Sequence, residues 1–186
     1  MKILNAYIIL GLSVIALIGC NKGKNNPTSC NGSSTRRDIK LLIDDAASEI
    51  DTVHIFSNVN SLEGMDLIEA KKDTHRNDIE KKVFTVTANV KKLSKHRDGD
   101  YKVKLESDDE NYLNCEAPNV GCEFASASLF YEQFKVVREF IELNEDDIEG
   151  KTVTITGVGF IDIEHNYPRN AAANDFELHP ILDIHF

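Results

Sequence analysis

Val83-Phe84-Thr85-Val86-Thr87-Ala88-Asn89-Val90 alternates strictly, with Phe84, Val86, Ala88 and Val90 on one side and Thr85, Thr87 and Asn89 on the other. A period of two marks a strand with one buried face, and this stretch sets the fold class. Working outward, Asp98-Gly99-Asp100 supplies a turn, after which Tyr101, Val103 and Leu105 alternate with Lys102, Lys104 and Glu106. Asp108-Asp109-Glu110 turns the chain again into a third strand through Tyr112, Leu113 and Cys115, ending near Pro118.

A helix is expected next, from about Ser126 to Glu142, because Phe130, Phe134, Val137 and Ile141 recur at helical spacing and Ser126 or Ser128 can cap it. Alternation returns from Lys151 to Ile163, interrupted by Gly157 and Gly159, where a bulge is expected. Ile181 to Phe186 then forms the last strand. Three strands, a helix and two strands predict a mainly β domain over 83–186: a five-stranded OB-fold Greek-key barrel with its helix between strands 3 and 4. Before it, residues 38–82 form a helical and irregular extension. Ile39, Leu42, Ile43, Ala46 and Ile50 predict a helix of about 13 residues there. Thr52 to Phe56 is β-prone but short.

The N-terminus points to export. Lys2 precedes an apolar run from Ile8 to Ile18, too short to span a bilayer comfortably and placed where a secretion signal belongs. Its ending, Leu17-Ile18-Gly19-Cys20, resembles the lipobox of bacterial lipoproteins. That resemblance implies cleavage after residue 19 and lipidation of Cys20, with acyl chains, palmitate among them, holding the protein on a membrane of the cell envelope. Asn21 beside that cysteine favours the periplasmic face of the outer membrane in a two-membrane bacterium. Residues 20–37, rich in Asn, Ser and Gly, read as a flexible tether.

Of the four cysteines, Cys30 falls in the tether, and an oxidising compartment favours a Cys115–Cys122 disulfide. Without a Cys-x-x-Cys pair, a zinc knuckle or thioredoxin-type redox site has no support. The chain carries 21 basic and 31 acidic residues, a net charge of −10, which argues against bulk attraction to DNA or anionic lipid. Basic residues concentrate locally: Lys91, Lys92, Lys95, His96, Arg97, Lys102 and Lys104, with Tyr112 nearby, mark a candidate ligand face, because OB-folds commonly bind oligomers on the second and third strands and adjoining loops. Partners of that face are a protein, a peptide, a polysaccharide or an oligonucleotide.

Asp98-Gly99-Asp100, Glu116-Ala117-Pro118 with Cys122, Gly157-Val158-Gly159-Phe160-Ile161-Asp162 and Glu177-Leu178-His179-Pro180-Ile181-Leu182 together resemble a family of bacterial OB-fold lipoproteins and exported proteins. Members are described as nucleic-acid-binding on the strength of their fold. The resemblance covers about residues 83–186 and implies the barrel and an oligomer-binding role.

Asp162, His165, Asn174, Glu177 and His179 gather polar groups between the last two strands. They serve either as a hydrogen-bonded loop anchor or as ligands for a divalent metal, which would allow a metal-dependent phosphoesterase or nuclease-like activity. No other cofactor is expected. A nucleophilic enzyme is disfavoured, since the chain has no Gly-x-Ser-x-Gly elbow and no P-loop.

Overall fold

The computed structural model describes residues 34–163 and 174–186. The expected secretion leader, Cys20, Cys30, most of the expected tether and His165 lie outside the described residues. In chain order the elements are α1 (Thr35–Lys40), β1 (Asp51–Ser57), α2 (Val59–Glu63), β2 (Lys82–Lys95), β3 (Tyr101–Glu106), β4 (Tyr112–Ala117), α3 (Tyr131–Asn144), β5 (Thr152–Ile161) and β6 (Phe176–His185).

Five strands close a barrel in the order β2, β3, β4, β6, β5 and back to β2. β4 and β6 run parallel, and the other barrel neighbours are antiparallel. Closure is possible because β2 is 14 residues long: Val83–Asn89 pairs with β5, and Asn89–Lys95 pairs with β3. The alternation that identified β2 also sets its inner face. Val86, Val90, Val103, Leu105, Leu113, Cys115, Ile155 and Leu178 fill the interior, and Val137 and Ile141 of α3 pack against it. Each such side chain contributes roughly 1.5–3 kcal/mol by leaving water.

The expected bulge at the β5 glycines is present as register shifts on either side of Gly157. A side chain at Gly159 has no room, since its Cβ would stand 2.7 Å from the Ile79 carbonyl oxygen. The buried stripe of α3 is also as expected, but the helix begins at Tyr131, and a 3₁₀ turn over Glu123–Ala127 takes up its predicted first residues. The last strand starts five residues earlier than the sequence suggested, at Phe176.

Three further departures matter for the site. The single helix expected after residue 38 is cut short: Leu42 takes a left-handed conformation (φ 53°), its amide donates to the Ile39 carbonyl, and the Ile43 amide donates to the Asp38 carbonyl. That is a Schellman stop, usually built on glycine. Leu42 bears the strain, of order 1 kcal/mol or more, because its side chain is buried in a second apolar cluster with Val83, Phe134 and Val158. Second, the expected tether ends sooner than residue 37, since α1 begins at Thr35, capped by Ser34, with Arg36 buried. Third, the extension supplies a sixth strand, as β1 pairs in parallel with Lys82–Val86 of β2.

The predicted disulfide is not formed. Cys115 and Cys122 are both buried free thiols. Cys115 shares parity with Leu113 and packs in the barrel core, whereas Cys122 lies beyond the end of β4 and lines a cleft outside the barrel, where its sulfur accepts from Arg37 at 3.6 Å. A short loop does not bring together two sulfurs that face different compartments.

Candidate functional site

Residues on the outer side of β3, β4 and β6 form a polar cluster because strand register places them side by side. Lys102 stands opposite Glu116, and Asn114 stands opposite Glu177. His179, two residues beyond Glu177, shares its face. Lys102 Nζ lies 2.8 Å from Glu116 Oε1 and 3.6 Å from Glu177 Oε1, and Asn114 Nδ2 donates to the same Glu177 oxygen at 3.2 Å. His179 Nδ1 approaches Glu116 Oε2 at 3.1 Å.

This wall is buried because α1 lies over it. Lys40 reaches down to Glu116 Oε2 and to Asp162 Oδ1, each at 3.8 Å. Arg36, one helical turn earlier, places its guanidinium 4.3 Å from the centre of the Phe160 ring, and Lys40 Nζ lies 4.9 Å from that centre. The helix is fixed by charge: Arg36 pairs with the fully buried Glu80, whose carboxylate also accepts the Ile161 amide at 3.0 Å. Arg76 pairs with Asp44 at 2.6 Å and donates to the carbonyls of Ile39 and Glu80.

Asp100, at the end of the β2–β3 turn, brings a further carboxylate, held by the Asn119 amide at 2.7 Å. Donor atoms of Asp100, Glu116 and His179 lie within 4.8 Å of one another. A cleft of about 470 Å³ reaches Asp100 from outside, lined also by Arg37, Lys40, Asp98, Cys122 and Asp162 among others.

The carboxylates are pushed apart electrostatically. Burial opposes ionisation of Glu116, but contact with His179 and the charges of Lys40 and Lys102 prevail and hold it well below the ordinary range. Glu177 is raised, first by burial and then by the charge of Glu116. Burial also raises Asp100, against the opposing effects of His179 and the Asn119 amide. Burial alone would lower Lys40 and Lys102, yet the surrounding carboxylates raise both, so each stays a firm ammonium.

The sequence-predicted residues divide. Glu177, His179 and Asp162 do come together, although Glu177 and His179 belong to β6 and not to a loop. Asn174 goes elsewhere: its Nδ2 donates to the Leu62 and Met65 carbonyls, anchoring the end of α2, and its Oδ1 accepts the Phe176 amide. Lys102 is drawn into the acidic cluster. Lys91 pairs with Glu106 at 2.9 Å, and Lys95 lies over the Tyr101 ring at 4.7 Å. His96 and Arg97 are exposed in the β2–β3 turn, as expected. Lys92 stands opposite Lys104 on the outer face, and Lys104 Nζ lies 4.0 Å over the Tyr112 ring. Burial and the like charges of Lys91, Lys102 and Lys92 lower the pKa of Lys104.

Lys40, Asp100 and Glu116 were not among the sequence candidates. Alternation in β4 carried a signal for Glu116, because Asn114 and Glu116 share the face away from Leu113 and Cys115. A search of family models and of curated proteins finds none that matches this chain.

Proposed function

We propose that the protein is an OB-fold binding module, held at a membrane of the cell envelope through a lipidated Cys20, that takes an extended anionic oligomer on the part of the outer face of β2, β3 and β4 around Lys92, Lys104 and Tyr112. Strand order, the parallel β4–β6 pair and the helix between the third and fourth barrel strands support the OB-fold reading. The leader ending Leu17-Ile18-Gly19-Cys20 supports the anchor.

The observation that carries the binding face is the register of Lys92 beside Lys104, with Tyr112 under the Lys104 ammonium. Like charges side by side on neighbouring strands are unfavourable in the free protein; the pKa of Lys104 is lowered first by its burial and then by the charges of Lys91, Lys102 and Lys92. A phosphate or carboxylate seated between them removes that repulsion. Tyr112 adds a ring beside the cations, a combination suited to single-stranded nucleic acid.

The test is fluorescence anisotropy of a labelled single-stranded oligonucleotide with the purified full chain across a salt series. Expected is affinity that falls linearly on a log–log plot, with a slope of about −0.7 per phosphate neutralised, and at least a tenfold loss in the Lys92→Glu, Lys104→Glu double variant, as roughly estimated from two lost phosphate contacts. Binding that ignores both salt and the double substitution, or no binding at all, removes the nucleic-acid reading. An acidic polysaccharide in the same assay tests the other anionic class.

A further inference from the structure

We infer that Asp100, Glu116 and His179 are the ligands of a binding site for one divalent transition-metal cation of the zinc class, beneath α1 and beside the cleft that Asp100 lines. The donors come from different parts of the chain, the β2–β3 turn, β4 and β6, and backbone pairing fixes where each starts. Ligands about 2.0–2.2 Å from a tetrahedral ion stand roughly 3.4 Å from one another. The three donor atoms, already within 4.8 Å, need only small side-chain movements to reach that spacing.

The observation that points to a ligand is independent of the acidic residues. His179 has no exposed side-chain surface, yet neither ring nitrogen makes a well-aligned hydrogen bond. Nδ1 is near Glu116 but poorly aligned with it, and Nε2 is buried without a partner. Leaving a buried polar group unsatisfied costs about 1–3 kcal/mol, so such a group calls for a function. Imidazole with two carboxylates is a donor set that suits zinc or manganese, and calcium or magnesium less well.

Charge balance agrees. Asp100, Glu116, Asp162 and Glu177 surround Lys40, and Glu116 and Glu177 also face Lys102. A divalent ion would add positive charge where carboxylates outnumber these ammonium groups. Glu177 Oε2 is also buried without a partner, and its carboxylate lies close enough to Glu116 for the two charges to oppose each other. The cleft opens onto Asp100, the most accessible of the three ligands. Lys40, 3.8 Å from Glu116 Oε2, is the intramolecular competitor for the same charge. This site uses none of Lys92, Lys104 and Tyr112, so either assignment can fail alone.

Calorimetric titration of the chelator-treated full chain with Zn²⁺ alone, and with Mn²⁺ alone, tests the site. Expected is a Zn²⁺ equivalent that weakens at least about tenfold in both Asp100→Asn and His179→Asn, and that tightens in Lys40→Met, where the competing ammonium is gone. A purely structural role for these residues does not predict tightening. Should His179→Asn fail to fold, Asp100→Asn carries the test, since asparagine can still accept the Asn119 amide. Absence of Zn²⁺ and Mn²⁺ binding, or binding unchanged by Asp100→Asn, or binding weakened by Lys40→Met, overturns the assignment.

Discussion

Arg36 and Glu80, 44 residues apart in sequence, meet as a buried bidentate ion pair that joins α1 to the barrel wall at Ile161. Neither partner reaches solvent to any useful extent. Once formed, such a pair is expensive to break on one side, because the remaining charge is stranded in a low-dielectric setting. Arg36→Ala is therefore expected to destabilise the fold by about 3–5 kcal/mol. The double substitution Arg36→Met, Glu80→Leu should cost less than Arg36→Ala alone. Urea unfolding of the three chains checks this, and equal losses in the single and double variants would refute the stranded-charge account.

Glu116 and Glu177 should move stability in opposite directions with pH. The folded-state pKa of Glu116 lies below its ordinary value, so its contribution is present above about 4.5 and is lost as pH falls through the depressed value. Glu177 is raised, so its contribution is complete below about 4.5 and is lost as pH rises through the elevated value. At pH 7, Glu116→Gln should lower the melting temperature, since Lys40, Lys102 and His179 lose their common partner. Glu177→Gln, which keeps an oxygen for Asn114, should raise it by about 2–4 °C, equivalent to roughly 1 kcal/mol. Both differences should shrink in melts recorded below pH 4.5. A Glu177→Gln chain less stable than its parent at pH 7 would contradict the sign.

Gly159→Ala tests the closest approach in the barrel wall. The added Cβ would meet the Ile79 carbonyl oxygen at 2.7 Å and the Phe84 and Phe176 rings at 3.1 Å. Backbone and packed rings yield poorly, so a loss of about 1–3 kcal/mol is expected in chemical denaturation. Phe84 and Phe176 pack edge to face at 5.6 Å, and a smaller partner there should relieve the clash: Phe84→Leu is expected to cost less in the Gly159→Ala chain than in the parent.

The barrel strands were readable because one face of each meets the core. Phe84, Val86 and Val90, then Tyr101, Val103 and Leu105, repeat at the period their burial demands. The stripe of α3 was readable for the same reason. The start of β6 was missed although Phe176 and Leu178 alternate with Glu177 and His179, because Pro180 interrupts the pattern and two buried polar residues resemble a loop. α1 was overextended because Leu42 continues a helical period while its backbone turns left-handed, a choice made by the tertiary pocket and not by local propensity. The site was half visible. Glu177, His179 and Asp162 stood out as polar residues near apolar strands, whereas Asp100, Glu116 and Lys40 join them only through strand pairing and helix docking, which single-sequence periodicity does not encode.

α1 and the 3₁₀ turn over Asp78–Lys81 also decide where this domain begins. A chain trimmed to start at Lys82 would retain all five barrel strands and look complete on a diagram of the sheet. It would nonetheless lose Arg36, Lys40, Arg76 and Glu80, leaving Glu116, Glu177 and Asp162 as an uncovered acidic wound and the Ile161 amide without its acceptor. The smallest self-sufficient piece is thus set by salt bridges reaching back to residue 36, and a pruning guided by strand count alone cuts through the chemistry.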